Sequence, residues 1–128
     1  EIKLKIEKLS LSDKILMLGN IKNSSSYFHF FNLLIHPAFH AGFSNSVTEA
    51  IQVGLNVSIG NIGDTTEIFE DSDLVFKSFS AHSIYKSIIY FNKLDPTDRK
   101  LLIEVSKNKI NNILNNDETI KKWIKAIE

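Results

Sequence analysis

The chain has 128 residues, no cysteine, and 15 basic against 15 acidic side chains, so its formal net charge is zero. The missing cysteine excludes disulfides, thiol nucleophiles and zinc sites built on thiolates. The balanced charge argues against direct nucleic-acid binding through phosphates, and no apolar run reaches the ~18 residues of a membrane-spanning helix. A hydrophobic content of 43% predicts a single globular domain over residues 1–128.

The first nine residues fit two patterns. Strict alternation of Ile2, Leu4 and Ile6 with charged residues predicts a half-buried strand. The spacing of Ile2, Ile6 and Leu9 fits a helix equally well. Both alternatives stay open for residues 1–9.

The next segments predict three helices. Residues 13–21 and 25–35 each follow serines that can cap a helix, and Pro37 ends the second because proline disfavours helical geometry before it. Ser46 and Glu49 have the spacing of a capping box, which predicts a helix over residues 47–58. One face of this helix would carry only small residues, namely Ala50, Gly54 and Ser58.

The second half begins with a predicted loop over residues 60–73, with one helical turn near Phe69. A helix with a broad apolar face is predicted over residues 80–94. Asp95 as cap and Pro96 at the first helical position start the next helix, which runs to about residue 115.

A last helix is predicted after Asp117, with its apolar stripe including Trp123 and Ile124. Together these elements predict an all-α fold, a compact array of about six helices. A short N-terminal strand is the alternative for the first nine residues.

Three histidines are the candidate metal ligands: His29, His36 and His40. His36 and His40 have the i, i+4 spacing that places two imidazoles on one helical face. Pro37 lies between them, however, and no carboxylate occurs from residue 14 to residue 48 to complete a site. We therefore favour histidines packed among aromatic residues and expect no metal, with a histidine-based metal-dependent hydrolase as the weaker alternative.

Motifs of catalysis are not found in the sequence. The chain contains no Gly-x-Ser-x-Gly elbow, no phosphate loop with Lys-Ser or Lys-Thr, and no dinucleotide fingerprint. The sequence therefore predicts a protein that is not an enzyme and needs no cofactor.

The charge is unevenly distributed along the chain. Residues 41–85 carry one lysine against six acidic residues, a net charge of −5. An acidic patch of this kind can dock on a basic partner surface, where complementary charge speeds association. The candidate partner-binding residues are Asp64, Glu67, Glu70, Asp71 and Asp73.

In size, composition and charge layout the chain resembles the small bacterial immunity proteins of contact-dependent growth inhibition systems. The resemblance implies a cytoplasmic inhibitor that binds a cognate toxin domain, typically a nuclease, and covers its basic active site with the acidic patch. The absence of a leader sequence also favours the cytoplasm. The alternative is a helical interaction or regulatory module from a longer chain, since the sequence begins at Glu1 without an initiator methionine.

Overall fold

The computed structural model describes residues 1–38, 44–61, 68–69, 73–114, 121 and 124–126. Its regular elements in chain order are helix α1 (Ile2–Lys8), a 3-10 helix (Ser24–Phe30), strand β1 (Leu33–His36), helix α2 (Asn45–Gln52), strand β2 (Asn56–Gly60), strand β3 (Val75–Phe76), helix α3 (Ala81–Lys93) and helix α4 (Pro96–Ile113). The prediction of an all-α fold is wrong, because these elements form a mixed α/β structure with a three-stranded sheet.

The sheet is parallel and has the strand order β1-β2-β3. Leu34 is paired with Val57 between the first two strands, and Ile59 with Val75 between the last two. Because all strands run in one direction, their carboxyl ends meet at a single edge of the sheet. We call this the carboxyl edge; its strand-terminal residues are His36, Gly60 and Phe76.

Helices cover both faces of the sheet. Val57 and Ile59 point to one face, where they form the main core with Ala50 and Ile51 of α2 and with Ile110 of α4. Side chains alternate along a strand, so Ser58 points to the other face, where its hydroxyl meets α3. This layered arrangement explains why β2 is buried along its whole length.

The predicted helix over residues 47–58 contains two separate elements. Helix α2 ends at Gln52, and the chain then turns through Gly54, whose φ of +88° is a conformation that favours glycine. The helix begins two residues earlier than the capping box implies, with Ser44 as the cap, and the Ser44 side chain makes no capping hydrogen bond. The small residues Ala50 and Ser58 therefore lie on a helix and on a strand and share no helical face.

The earlier predictions are also corrected. Of the two alternatives for residues 1–9, the helix is the one observed. Residues 13–21 form turns and irregular backbone, and residues 25–35 divide between the 3-10 helix and β1. Neither segment forms the α-helix that its spacing predicts.

The predictions for α3 and α4 are confirmed. The Ser80 side chain accepts a hydrogen bond from the Ser83 amide at 3.2 Å and so caps α3. The Asp95 carboxylate accepts from the amides of Thr97 at 2.8 Å and Asp98 at 2.9 Å at the start of α4. These local bonds satisfy amides that have no acceptor within the helix.

Beyond Leu114, the structure describes only residue 121 and residues 124–126, which are helical. Ile124 is 53% exposed, and Trp123 lies outside the described residues. None of the described helices has the length and apolar character needed to cross a membrane.

Candidate functional site

The carboxyl edge is the place where an open parallel sheet is expected to bind its ligand. In such sheets the loops that follow the strands form a crevice outside the strand ends. Here the chain leaves the edge after His36, Gly60 and Phe76, and two of these connections lead into helices α2 and α3. The groups available to a ligand are therefore the strand ends, the loops and the first turns of these helices.

The first turn of α2 offers backbone donors at this edge. Ser44 caps the helix in an extended conformation with φ −79° and ψ 116°, and its carbonyl accepts from the amides of Val47 and Thr48 at 3.1 Å each. No described side chain accepts from the amides of this turn. The helix start thus presents donors and a partial positive charge, which suits an anionic group such as phosphate.

His36 ends β1 and carries an unusual buried atom. Its Nε2 is buried, and within the described part of the chain it has no hydrogen-bond partner. Leaving a buried polar atom unpaired costs about 1–3 kcal/mol, and such atoms are rare in native proteins. His36 therefore ends β1 with one buried nitrogen that the described residues leave unpaired.

The ends of β2 and β3 are held together tightly. The Asn61 amide donates to the Phe76 carbonyl at 3.1 Å, which extends the pairing one residue past Gly60. The rings of Phe76 and Phe79 meet edge to face with centroids 5.6 Å apart. A side chain at Gly60 would collide with the Phe79 ring, since its Cβ would lie 2.5 Å from Cε1 and Cζ.

Lys77 follows β3 directly and is exposed at the carboxyl edge. The sequence contains no lysine or arginine from residue 23 to residue 76, so Lys77 is the first basic side chain after Lys22. Among the described strand ends and first helical turns of this edge, an anion would therefore meet backbone amides and the ammonium group of Lys77.

A cavity of about 470 Å³ lies at the opposite edge of the sheet. It is bordered by the start of β2 at Asn56, by Leu74 before β3, and by Tyr90 and Ser106 of the two long helices. Its position next to the amino-terminal ends of the strands separates it from the candidate site.

Comparison with known protein families decides the classification. The family model described as glycosyl transferases group 1 matches residues 1–108, which is most of the chain. The chain belongs to this family. Comparisons with curated proteins and with solved structures give no significant match.

Membership in the glycosyl transferase group 1 family overturns the functional predictions made from composition. The resemblance to immunity proteins is wrong, and so is the prediction of a protein that is not an enzyme, because the family is one of glycosyltransferases. The family points to sugar donors and acceptors in place of a cognate toxin domain. The two alternatives, an interaction module and a metal-dependent hydrolase, are replaced on the same ground.

The predicted acidic patch falls largely outside the described residues. This applies to Asp64, Glu67, Glu70 and Asp71. Asp73 is described and lies exposed in the turn that precedes β3, away from the carboxyl edge. Partner binding by these five acids stays a prediction of the sequence.

The three histidines have different environments. His29 is exposed on the 3-10 helix before the start of β1, His36 ends β1, and His40 lies outside the described residues. Over the described ranges, no group of three or more histidine, aspartate or glutamate side chains could hold a metal ion.

No sequence pattern singles out Ser44, Asn45 or Lys77 as site residues. His36 is predicted to pack among aromatic residues, with a metal-ligand role as the weaker alternative. One signal for the sheet is present between Gly54 and Gly60, where apolar residues alternate with Asn56 and Ser58. Such period-two alternation bounded by glycines is typical of a strand.

Proposed function

We propose that this chain contributes the sugar-donor-binding part of a glycosyltransferase catalytic domain, with the donor's leaving group held at the carboxyl edge. The observation that carries this proposal is the match of the glycosyl transferase group 1 model over residues 1–108. The parallel sheet and the start of α2 at its carboxyl edge support the location.

The chemistry of glycosyl transfer suits this edge. The reaction breaks the bond between the anomeric carbon and the oxygen of the leaving group, and it forms a bond from that carbon to an acceptor oxygen. The acceptor hydroxyl gives up a proton, and the leaving group departs with the bonding electrons. Donors preorganised around the leaving group stabilise this developing negative charge. The amides in the first turn of α2 are such donors.

The charge at the edge favours a leaving group that is recognised mainly by hydrogen bonds. Lys77 is the only lysine or arginine between residues 23 and 85. Backbone amides can bind a phosphate without a basic side chain, because each amide points its hydrogen at the anion. A sugar joined to a phosphate or diphosphate is therefore the donor class we propose.

A direct test is binding of nucleoside diphosphate sugars to the 128-residue chain, measured by calorimetry across several bases and sugars. The sharpest variant is Asn45→Pro. Proline is accepted at the first position of a helix, and the extended backbone of Ser44 suits a residue before proline. The variant removes one amide donor without breaking α2, so we expect weaker binding with unchanged helix content.

Ala81→Pro is the comparison variant, because it removes the equivalent amide from the first residue of α3, the other helix that begins at the carboxyl edge. We expect it to leave the affinity unchanged. Failure of the wild-type chain to bind any of the nucleotide sugars would contradict the proposal. Equal affinities for wild type and Asn45→Pro would show that the start of α2 is not the anion site.

The place of this activity in the cell is a separate prediction. A cytoplasmic location rests on the sequence analysis, and fractionation of cells producing the natural protein tests it. Recovery with the membrane or secreted fraction would contradict that location without affecting the proposed chemistry.

A further inference from the structure

We propose that the cavity of about 470 Å³ at the edge of the sheet opposite the carboxyl edge binds a linear amphipathic molecule, an aliphatic chain that ends in a carboxylate. A volume of this size is within the range of small-molecule sites, which combine apolar walls with a few polar groups. The cavity is separate from the candidate site for the sugar donor, so the proposal goes beyond the proposed function and does not depend on it.

Most of the described wall of the cavity is aliphatic. Leu55 and Val57 contribute from the start of β2, and Leu74 contributes from the turn before β3. These three side chains are at most 4% exposed. Leu102 and Ile103 of α4 complete this part of the wall. Methylene groups of a ligand that contact these side chains would be removed from water, which favours binding.

Two polar side chains of the wall are buried without a hydrogen bond. Asn56 and Ser106 are each 8% exposed, and neither side chain forms a hydrogen bond with another described residue. Buried amide and hydroxyl groups are normally paired, because an unpaired group loses its hydration without compensation. Both side chains line the cavity, so a polar group of a ligand inside it can pair with them.

The character of the wall changes along α4. Leu102, Ser106 and Lys109 are four and three residues apart, so they lie on one face of the helix over about 10 Å. The wall along this face passes from an aliphatic side chain through a hydroxyl to an ammonium group. A ligand that matches it has an apolar chain and a single polar end.

The polar groups of the wall favour a negatively charged oxygen acceptor. Asn56, Tyr90 and Ser106 can each donate a hydrogen bond, and Lys109 carries a positive charge. No acidic side chain occurs among the described residues that line the cavity. A carboxylate accepts several hydrogen bonds and is attracted by an ammonium group, whereas a cationic head group of similar size is repelled.

The test measures binding of sodium decanoate to the full 128-residue chain by calorimetry, at concentrations below those at which decanoate forms micelles. Ser106→Ala removes one donor, and we expect the affinity to fall at least about tenfold. The urea midpoint should stay the same or rise, because alanine is favoured in a helix interior. Decyltrimethylammonium has the same chain and a cationic head group, and it should bind at least about tenfold more weakly than decanoate.

A second variant tests access to the cavity. Val105 lines the cavity and is 42% exposed, so Val105→Trp can place its ring across the opening without entering the core. We expect this variant to bind decanoate at least about tenfold more weakly. Leu101→Trp is the matched control, because Leu101 is 57% exposed on the same helix and is not among the described lining residues. Its affinity should change by less than about threefold.

Three results would overturn the inference. The first is the absence of decanoate binding by the wild-type chain, and the second is an equal affinity for decanoate and decyltrimethylammonium. The third is wild-type affinity in Ser106→Ala or in Val105→Trp, since decanoate would then bind elsewhere. None of these results would bear on the sugar-donor site at the carboxyl edge, which is tested separately with nucleoside diphosphate sugars.

Discussion

The hydroxyl groups of Ser58 and Ser87 lie 2.7 Å apart in the interior, where β2 meets α3. Ser58 Oγ is also 3.0 Å from the carbonyl of Leu74, and Ser87 Oγ is 2.8 Å from the carbonyl of Ile84. Each hydroxyl has one hydrogen, so two hydrogens serve three contacts. Through these contacts the two hydroxyls connect β2, the turn before β3 and α3.

Because the two hydroxyls form one network, we predict that their substitutions are not additive. Ser58→Ala and Ser87→Ala should each lower the free energy of unfolding by about 1–2 kcal/mol. The double variant should lose less than the sum, since each single variant leaves the other hydroxyl with a poorer set of partners. Urea unfolding of the four proteins measures the coupling.

Ser78→Ala is the control, since the Ser78 hydroxyl meets that of Ser80 on the exposed surface. Its effect should stay within about 0.5 kcal/mol. Strict additivity of the two buried serines would show that the 2.7 Å contact does not contribute to stability.

Two glycines should respond to alanine for different reasons. Gly60→Ala places a Cβ 2.5 Å from the Phe79 ring, so we predict a steric loss of about 1–3 kcal/mol. A Cβ at Gly54 would have no atom within 4 Å, but the φ of +88° at this position is unfavourable for any L residue. For Gly54→Ala we therefore expect the free energy of unfolding to fall by about 1 kcal/mol.

Replacement of Phe79 separates the two causes. Phe79→Leu should rescue part of the loss in Gly60→Ala and none of the loss in Gly54→Ala, measured as shifts in the urea midpoint. Equal rescue of both variants would contradict the steric explanation for Gly60.

Arg99, the only arginine in the chain, ties α4 to the end of α3. Its Nη2 donates to the carbonyls of Phe91 at 3.2 Å and Asn92 at 3.4 Å, and its guanidinium lies 4.3 Å from the centre of the Phe91 ring. We predict that Arg99→Lys lowers the free energy of unfolding by about 1 kcal/mol, because an ammonium group cannot stack and donate in the same way.

The exposed basic residue Lys100 is the control for Arg99. Its ammonium is 3.9 Å from the Glu104 carboxylate, and both side chains are largely in solvent. We expect Lys100→Arg to change stability by less than about 0.5 kcal/mol. An equally small effect of Arg99→Lys would show that stacking on Phe91 and donation to two carbonyls add no stability beyond that of a positive charge at this position.

The sequence predicted those elements whose signals are local. Asp95 followed by Pro96 marks the start of α4 through bonds made within one turn, and α3 is predicted by the helical spacing of its own apolar residues. The parallel strands are short, and each pairs with a partner far along the chain. Period-two alternation is present in β2, where Val57 and Ile59 alternate with Asn56 and Ser58. The run is only five residues long and follows the capping-box pattern of Ser46 and Glu49, so it extends the predicted helix beyond α2.

Function was less predictable than fold. Composition and net charge describe how a protein interacts with solvent and partners in general, and they do not identify a reaction. The candidate site depends on backbone amides at the start of α2, which no sequence motif marks. Only the family match over residues 1–108 connects the chain to glycosyl transfer.

Binding of a sugar donor at the carboxyl edge can be followed by amide NMR during titration with nucleoside diphosphate sugars. We expect the largest chemical-shift changes at His36, at residues 44–46, and at residues 60–61 and 77. Shifts centred instead on Tyr90 and Ser106, beside the cavity at the opposite edge, would contradict it. The absence of any shift at saturating ligand concentrations would contradict it as well.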